Sequence, residues 1–159
     1  MSDLTHVDAA GAAHMVDVTG KEVTSRVAVA SGVMHTTAEV VALLRSNGLK
    51  KGDALAVARV AGIMGAKRTP DLVPLCHPLP ISGVTVSFTL DADSVAIEAT
   101  VRTSGQTGVE MEALTAVTVA GLTLHDMIKA VDPAAVLSEV RVERKEGGKT
   151  GLWTRPEDR

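Results

Sequence analysis

Apolar and polar residues alternate along this chain with a period that changes several times, and each change marks an element. In VTSRVAVAS (residues 23–31) Val23, Val27 and Val29 share one side of a period-two pattern, which predicts a strand. TTAEVVALLRSNG then turns helical. Thr36 with Glu39 three residues on fits a capping box, Val40, Val41, Leu43 and Leu44 make the apolar stripe, and Asn47-Gly48 supplies the stop. A second helix is expected over about 53–68, with Asp53 as N-cap, apolar Leu55, Val57, Val60, Ile63 and Met64, and a basic end at Lys67-Arg68. Four prolines between Pro70 and Pro80 predict an extended, non-helical loop. VTVSFTL and VAIEATVR, joined by DADS, alternate as a hairpin near 84–90 and 95–102, and SGQTG reads as a polar turn. From about 110 to 131, Leu114, Val117, Gly121, Leu124, Ile128 and Val131 recur at steps of three and four, the strongest helical signal present. Val136, Val140 and Val142 suggest a last strand before RKEGGKTG, a run expected to stay unpacked.

Strand, helices, strand, strand, helix, strand is the βαββαβ order of a ferredoxin-like α+β sandwich, in which helices cover one face of an antiparallel sheet. Its other face needs cover as well, and a second subunit would supply it. A length of 159 residues fits one domain over 1–159, with a flexible arm at about 1–21 and a mobile tail at about 145–159.

Composition changes this picture in two ways. One Phe, one Trp and no Tyr leave small aliphatic side chains to build the core, which again favours burial between subunits. A net charge of −3 with so few stacking aromatics argues against nucleic acid as a partner. The start has no basic, apolar leader and the chain has no run of about 18 apolar residues, so neither secretion nor a membrane is expected. With a single cysteine a reducing cytoplasm fits.

That cysteine lies in LVPLCHP, beside a histidine and between prolines. Zinc needs three or four ligands, and neither HExxH nor CxxC occurs. A Cys76–His77 nucleophilic pair is disfavoured because neighbours in extended chain point to opposite sides. Cys76 reads as a small hydrophobe, and His77, framed by proline, as a preorganised contact. Glu110 and Glu112 either steady the start of the long helix or recognise a ligand's donor edge. Asp126 and Lys129 lie three apart near its end, as a surface ion pair or as chemistry. Glu112 and Asp126 are within about 40° on the helical wheel but roughly 21 Å apart along the axis. If both serve one site, either the ligand is long or the second group comes from another subunit. Lys51, before the second helix, is placed to bind an anion; Lys67 and Arg68 also fit plain compensation of a helix C-terminus. GGKTG fails as a P-loop, since Glu143 stands where its first glycine belongs; Lys145 and Lys149 belong to either a phosphate lid or a solvated tail.

Taken together, KGDALAVARVAGIMGAKRTPDLVPLCHPLPISGV, GQTGVEMEALTAV and LTLHDMIKAVD strongly resemble the cyclic pyranopterin monophosphate synthase (MoaC) family of molybdenum cofactor biosynthesis. HMVDVTGKEVTSRVAVASG and RKEGGKTG extend the likeness to nearly the whole chain. The resemblance implies a ferredoxin-like subunit in a homohexamer, a trimer of dimers with active sites at the dimer interface. It also implies a lyase that rearranges 3′,8-cyclo-7,8-dihydro-GTP to cyclic pyranopterin monophosphate and expels pyrophosphate. By match to the family's motifs, Leu75, Cys76, His77, Met111 and Glu112 contact substrate. Asp126 takes the place of the catalytic aspartate, with Lys51 and Lys129 as its partners, and Glu110, Lys67 and Lys145 join the pocket. His125 stands where many relatives carry Tyr. No cofactor is expected, with Mg²⁺ accompanying the triphosphate left open. The alternative is a non-catalytic paralogue that binds nucleotide triphosphate.

Overall fold

The computed structural model describes residues 6–159. Its element order is β1 (Thr24–His35), α1 (Ala38–Ser46), α2 (Ala54–Lys67), α3 (Thr69–Leu72), β2 (Ile81–Leu90), β3 (Ser94–Gly105), α4 (Glu110–Ile128), β4 (Val136–Glu146) and β5 (Trp153–Thr154). The strands form one sheet in the order β2-β3-β1-β4-β5, every neighbouring pair antiparallel. Without β5 this is the ferredoxin-like α+β arrangement expected from the pattern.

Burial follows the period-two pattern. Ala28, Ala30 and Met34 of β1 and Val95, Ile97, Ala99 and Val101 of β3 point inward and are buried, joined by Ala113, Ala116, Val117, Ala120 and Leu124 of α4. On the opposite face Val27, Val29 and Val33 are only half-buried, beside exposed Thr85, Ser87 and Glu98. α2 packs on α4 in the opposite direction. Ala54 and Ala58 join the cluster containing Leu124 and Ile128, while Ala66 joins Ala113 and Ala116. The helices approach closely at Gly62, where a Cβ would lie 2.9 Å from the Ala116 carbonyl oxygen. Antiparallel packing carries Lys51 to the C-terminal end of α4 and Lys67 to its N-terminal end.

Local capping signals hold with one shift. Asp53 Oδ1 accepts from Ala56 N–H at 3.0 Å, and Asn47 closes α1 in the left-handed region at φ 53°. The α1 cap is Thr37, which accepts from Val40 N–H, rather than Thr36. Thr36 instead donates its hydroxyl to Asp132 at 2.8 Å, so a tertiary partner captures the residue that the capping box claimed.

Three further differences have physical causes. Pro70 lies in the first turn of α3, where a missing N–H costs nothing, so the segment from Pro70 opens with a helical turn before becoming extended. Val131 falls beyond α4 and is exposed, and β4 leaves Val136 and Val140 exposed because two register shifts against β1 break its alternation. In the run RKEGGKTG and the segment after it, Arg144 to Glu146 belong to β4, and Trp153 and Thr154 pair back onto Lys145 and Arg144.

Candidate active site

Two groups of functional side chains lie at opposite ends of α4. At its N-terminal end a pocket of about 280 Å³ is lined by Leu75, Cys76, His77, Met111 and Glu112, all five substrate contacts implied by the resemblance. Val16 and Val18 of the N-terminal segment form part of its wall. The His77 ring bonds the Val16 carbonyl through Nε2 at 2.5 Å, which fixes the histidine and ties the segment down.

Glu112 is 3% exposed. Burial first, and then the neighbouring charge of Glu110, raise its carboxyl above the usual carboxylate range. A buried carboxyl in the pocket wall suits recognition of a heterocycle's donor edge. Cys76 is raised too, by burial and by Glu112, so it stays a thiol and is not an activated nucleophile.

Beside this pocket lies a larger cavity of about 630 Å³ whose wall carries four cations, Lys21, Arg26, Lys145 and Lys149, against three carboxylates, Glu22, Glu110 and Glu146. Lys21, Thr107, Gly108 and Glu110 line both spaces, which therefore adjoin. Lys145 Nζ is 3.3 Å from Glu110 Oε1, and Arg26 is steadied by donating Nε–H to the Gly105 carbonyl at 3.0 Å. Gly147, at φ 95°, lets the turn after β4 press on β1: a Cβ there would collide with the Ser25 carbonyl oxygen. Thr24 Oγ1, in the same wall, is buried without a hydrogen-bond partner among the described residues.

At the other end of α4, Asp126 Oδ1 meets Lys129 Nζ at 2.8 Å and Asp126 Oδ2 meets Lys51 Nζ at 3.0 Å. Lys51 also donates to the Asp126 backbone carbonyl at 3.0 Å. The two lysines, Lys129 more than Lys51, hold the carboxyl down to about 2. All three side chains are roughly half exposed, Asp126 at 55%. His125 is half-buried next to this group.

Within one subunit these groups stay apart: 14 residues of helix separate Glu112 from Asp126, roughly 21 Å. Lys67 is exposed at the end of α2 and lines neither space. Among the described residues no cluster of three or more His, Cys, Asp or Glu is arranged to hold a metal ion. Lys21 and Arg26 were not singled out from the sequence. The available signal was Arg26 itself, a charge in register with the inward positions Ala28 and Ala30.

Comparison with known proteins decides the lineage. The profile described as "MoaC family" matches residues 15–148. The chain belongs to the MoaC family. Its relatives include "Cyclic pyranopterin monophosphate synthase" of Streptomyces coelicolor, 65% identical over 96% of this chain and 89% of the relative. "Cyclic pyranopterin monophosphate synthase 2" of Mycobacterium bovis is 62% identical over 96% and 92%. The Corynebacterium glutamicum synthase is 63% identical over 97% and 99%. The family match includes Lys21 and Arg26 as well as both groups on α4. No described helix is long and apolar enough to cross a membrane.

Proposed function

We propose that this chain works as a cyclic pyranopterin monophosphate synthase whose active centre joins the pocket of one subunit to the Asp126 group of another. It is a lyase of molybdenum cofactor biosynthesis, converting 3′,8-cyclo-7,8-dihydro-GTP to cyclic pyranopterin monophosphate with release of pyrophosphate. One observation carries the division of labour. The smaller pocket at Glu112 adjoins the larger cavity at Lys21 and Arg26, so a purine-derived ring and its phosphates fit side by side.

In this reading Glu112 and His77 read the ring edge, while Leu75, Cys76 and Met111 supply apolar contact. Lys21, Arg26, Lys145 and Lys149 neutralise the triphosphate as a sugar oxygen attacks the α-phosphorus and pyrophosphate leaves. Ring opening and reclosure need proton transfers on nitrogen and oxygen. The ionised Asp126 orients and stabilises cationic Lys51 and Lys129, which supply the protons. A homohexamer built as a trimer of dimers brings the two ends of α4 from different subunits together. Any Mg²⁺ enters with the triphosphate, and the work takes place in the cytoplasm. A binding module without turnover would use the basic cavity and leave the Asp126 group without a task.

The test is incubation of the purified protein and of Asp126→Asn with the cyclised GTP intermediate, reading pyrophosphate and pterin product. The wild type is expected to release both in equal amounts, and the variant to bind without turnover. No product from the wild type, or equal turnover by the variant, overturns the assignment.

A further inference from the structure

Trp153 and Arg155 belong to neither group of site residues, yet they fasten one wall of the basic cavity. That wall is the end of β4, with Lys145, and the turn from β4 to β5, with Gly147, Gly148 and Lys149. Gly147, Gly148 and Gly151 all have positive φ, so the turn has much conformational freedom to lose. It is closed by only two paired residues on each side, too few to hold a hairpin by themselves.

Arg155 supplies the missing closure. Its backbone N–H donates to the Glu143 carbonyl at 2.8 Å, and its Nε–H donates to the Val142 carbonyl at 2.8 Å. The guanidinium lies 3.9 Å from Glu143 Oε2 and 6.0 Å from the centre of the Trp153 ring. Its side chain is 25% exposed. Glu143 in turn accepts from Ser31 Oγ at 2.5 Å and from Arg141 Nε at 2.7 Å. The clasp therefore reaches β1 at the centre of the sheet. Trp153 is the direct partner of Lys145 across β4 and β5, and directly opposed residues share a face. Lys145, held in that register, meets Glu110 at the mouth of the cavity.

We infer that Arg155 is a positioning residue: by clasping β5 to β4 through Val142 and Glu143 it holds Lys145 and the Gly147–Gly148 turn ready for a polyphosphate. This rests on the reading of the basic cavity as the phosphate site. Arginine suits the task because its Nε–H donates to the Val142 carbonyl within ion-pair distance of the Glu143 carboxylate while the guanidinium lies over the Trp153 ring; lysine reproduces only part of this.

The experiment is calorimetric titration of the full-length protein with inorganic triphosphate at fixed ionic strength. It compares wild type, Arg155→Ala, Arg155→Lys, Lys145→Ala and the double variant Arg155→Ala/Lys145→Ala. Arg155→Ala is expected to weaken binding about tenfold and Arg155→Lys about threefold. The double variant is expected to lose clearly less than the sum of the two single losses, since much of what Arg155 positions acts through Lys145. In turnover assays Arg155→Ala is expected to lower kcat/KM in the wild-type background but to add little further loss in the Lys145→Ala background, a dependence that general loosening of the fold would not give. Unchanged affinity in both Arg155 variants, or fully additive losses in the double variant, overturns the proposal. If Arg155→Ala does not fold, Arg155→Lys decides by the same criterion. A wild type that fails to bind inorganic triphosphate overturns the phosphate reading itself, and the proposal with it.

Discussion

Gly62→Ala tests the link between packing and site most sharply, because helix propensity and tertiary packing push in opposite directions. In an isolated helix the change is favourable by about 1 kcal/mol. Here the added methyl would lie 2.9 Å from the Ala116 carbonyl oxygen, 3.1 Å from Ala120 Cβ and 3.2 Å from Val86 Cγ2. A helix carbonyl cannot rotate away, so α2 must lift from α4 by a few tenths of an ångström. Overpacking of this kind costs about 1–3 kcal/mol, and with an unyielding backbone atom the upper half of that range applies. Net destabilisation of about 1–2 kcal/mol is expected, a fall in Tm of about 2–8 °C for a chain of this size. Lifting α2 also displaces Lys51, three residues before the helix, from Asp126, so turnover should fall as well. Thermal unfolding of wild type, Gly62→Ala and the control Gly83→Ala at one protein concentration is the assay. At Gly83 the nearest atom to a new Cβ is Arg102 Cδ at 4.0 Å, and no loss is expected. A Gly62→Ala variant as stable as wild type would refute the reasoning from close helix approach.

Other expectations concern single groups. The Asp126 carboxyl should titrate near 2 by carbon NMR, and Lys129→Ala should raise its midpoint more than Lys51→Ala. Because its pKa is lowered on folding, its contribution is present above the ordinary value of 3.8 and is lost as pH falls through about 2; an ordinary midpoint in the wild type contradicts the ion-paired group. Glu112 has the opposite sign. Raised above 4.5 on folding, its proton-bound form favours the native state below that pH, and the benefit disappears as pH rises through the folded value. Glu112→Gln should therefore gain Tm relative to wild type between pH 4 and pH 8, and a constant difference would count against a buried carboxyl. His77→Ala removes the bond to the Val16 carbonyl, so protection of the His14 and Lys21 amides from exchange should fall by about fivefold. Unaltered exchange there would show that His77 does not hold the segment.

What could be read from the sequence divides along a physical line. Signals decided within a few residues were legible: Asp53 caps α2, Asn47 ends α1, and the alternation of β3 gives its buried face. Signals that depend on distant partners were not. Thr36 looked like the cap until Asp132, 96 residues on, claimed its hydroxyl. β5 has two residues, and nothing in Trp153-Thr154 announces a strand without β4 beside it. Pro70 was weighed as a helix breaker, when its position in a first turn makes it harmless.

The site divides in the same way. LVPLCHP and GVEMEAL stood out as short motifs, and the structure brings both to one pocket. The meeting of Lys51 with Asp126, 75 residues apart, follows only from the antiparallel packing of α2 on α4. Arg26 draws no notice in the sequence, because its inward register becomes visible only once Ala28 and Ala30 are seen in the core. Lys67 came with the family's motifs, and it lines neither space within one subunit.

The central claim is that one active centre draws on two subunits, and complementation between two damaged chains tests it most directly. Asp126→Asn and His77→Ala, each inactive alone, are unfolded together, refolded as a mixture and assayed for pyrophosphate and pterin product. If His77 and Asp126 of different subunits form one centre, half of randomly mixed dimers carry one intact centre of two, and activity returns to about a quarter of wild type. A mixture no more active than its separate parents, with mixed assembly verified by mass, would contradict the account.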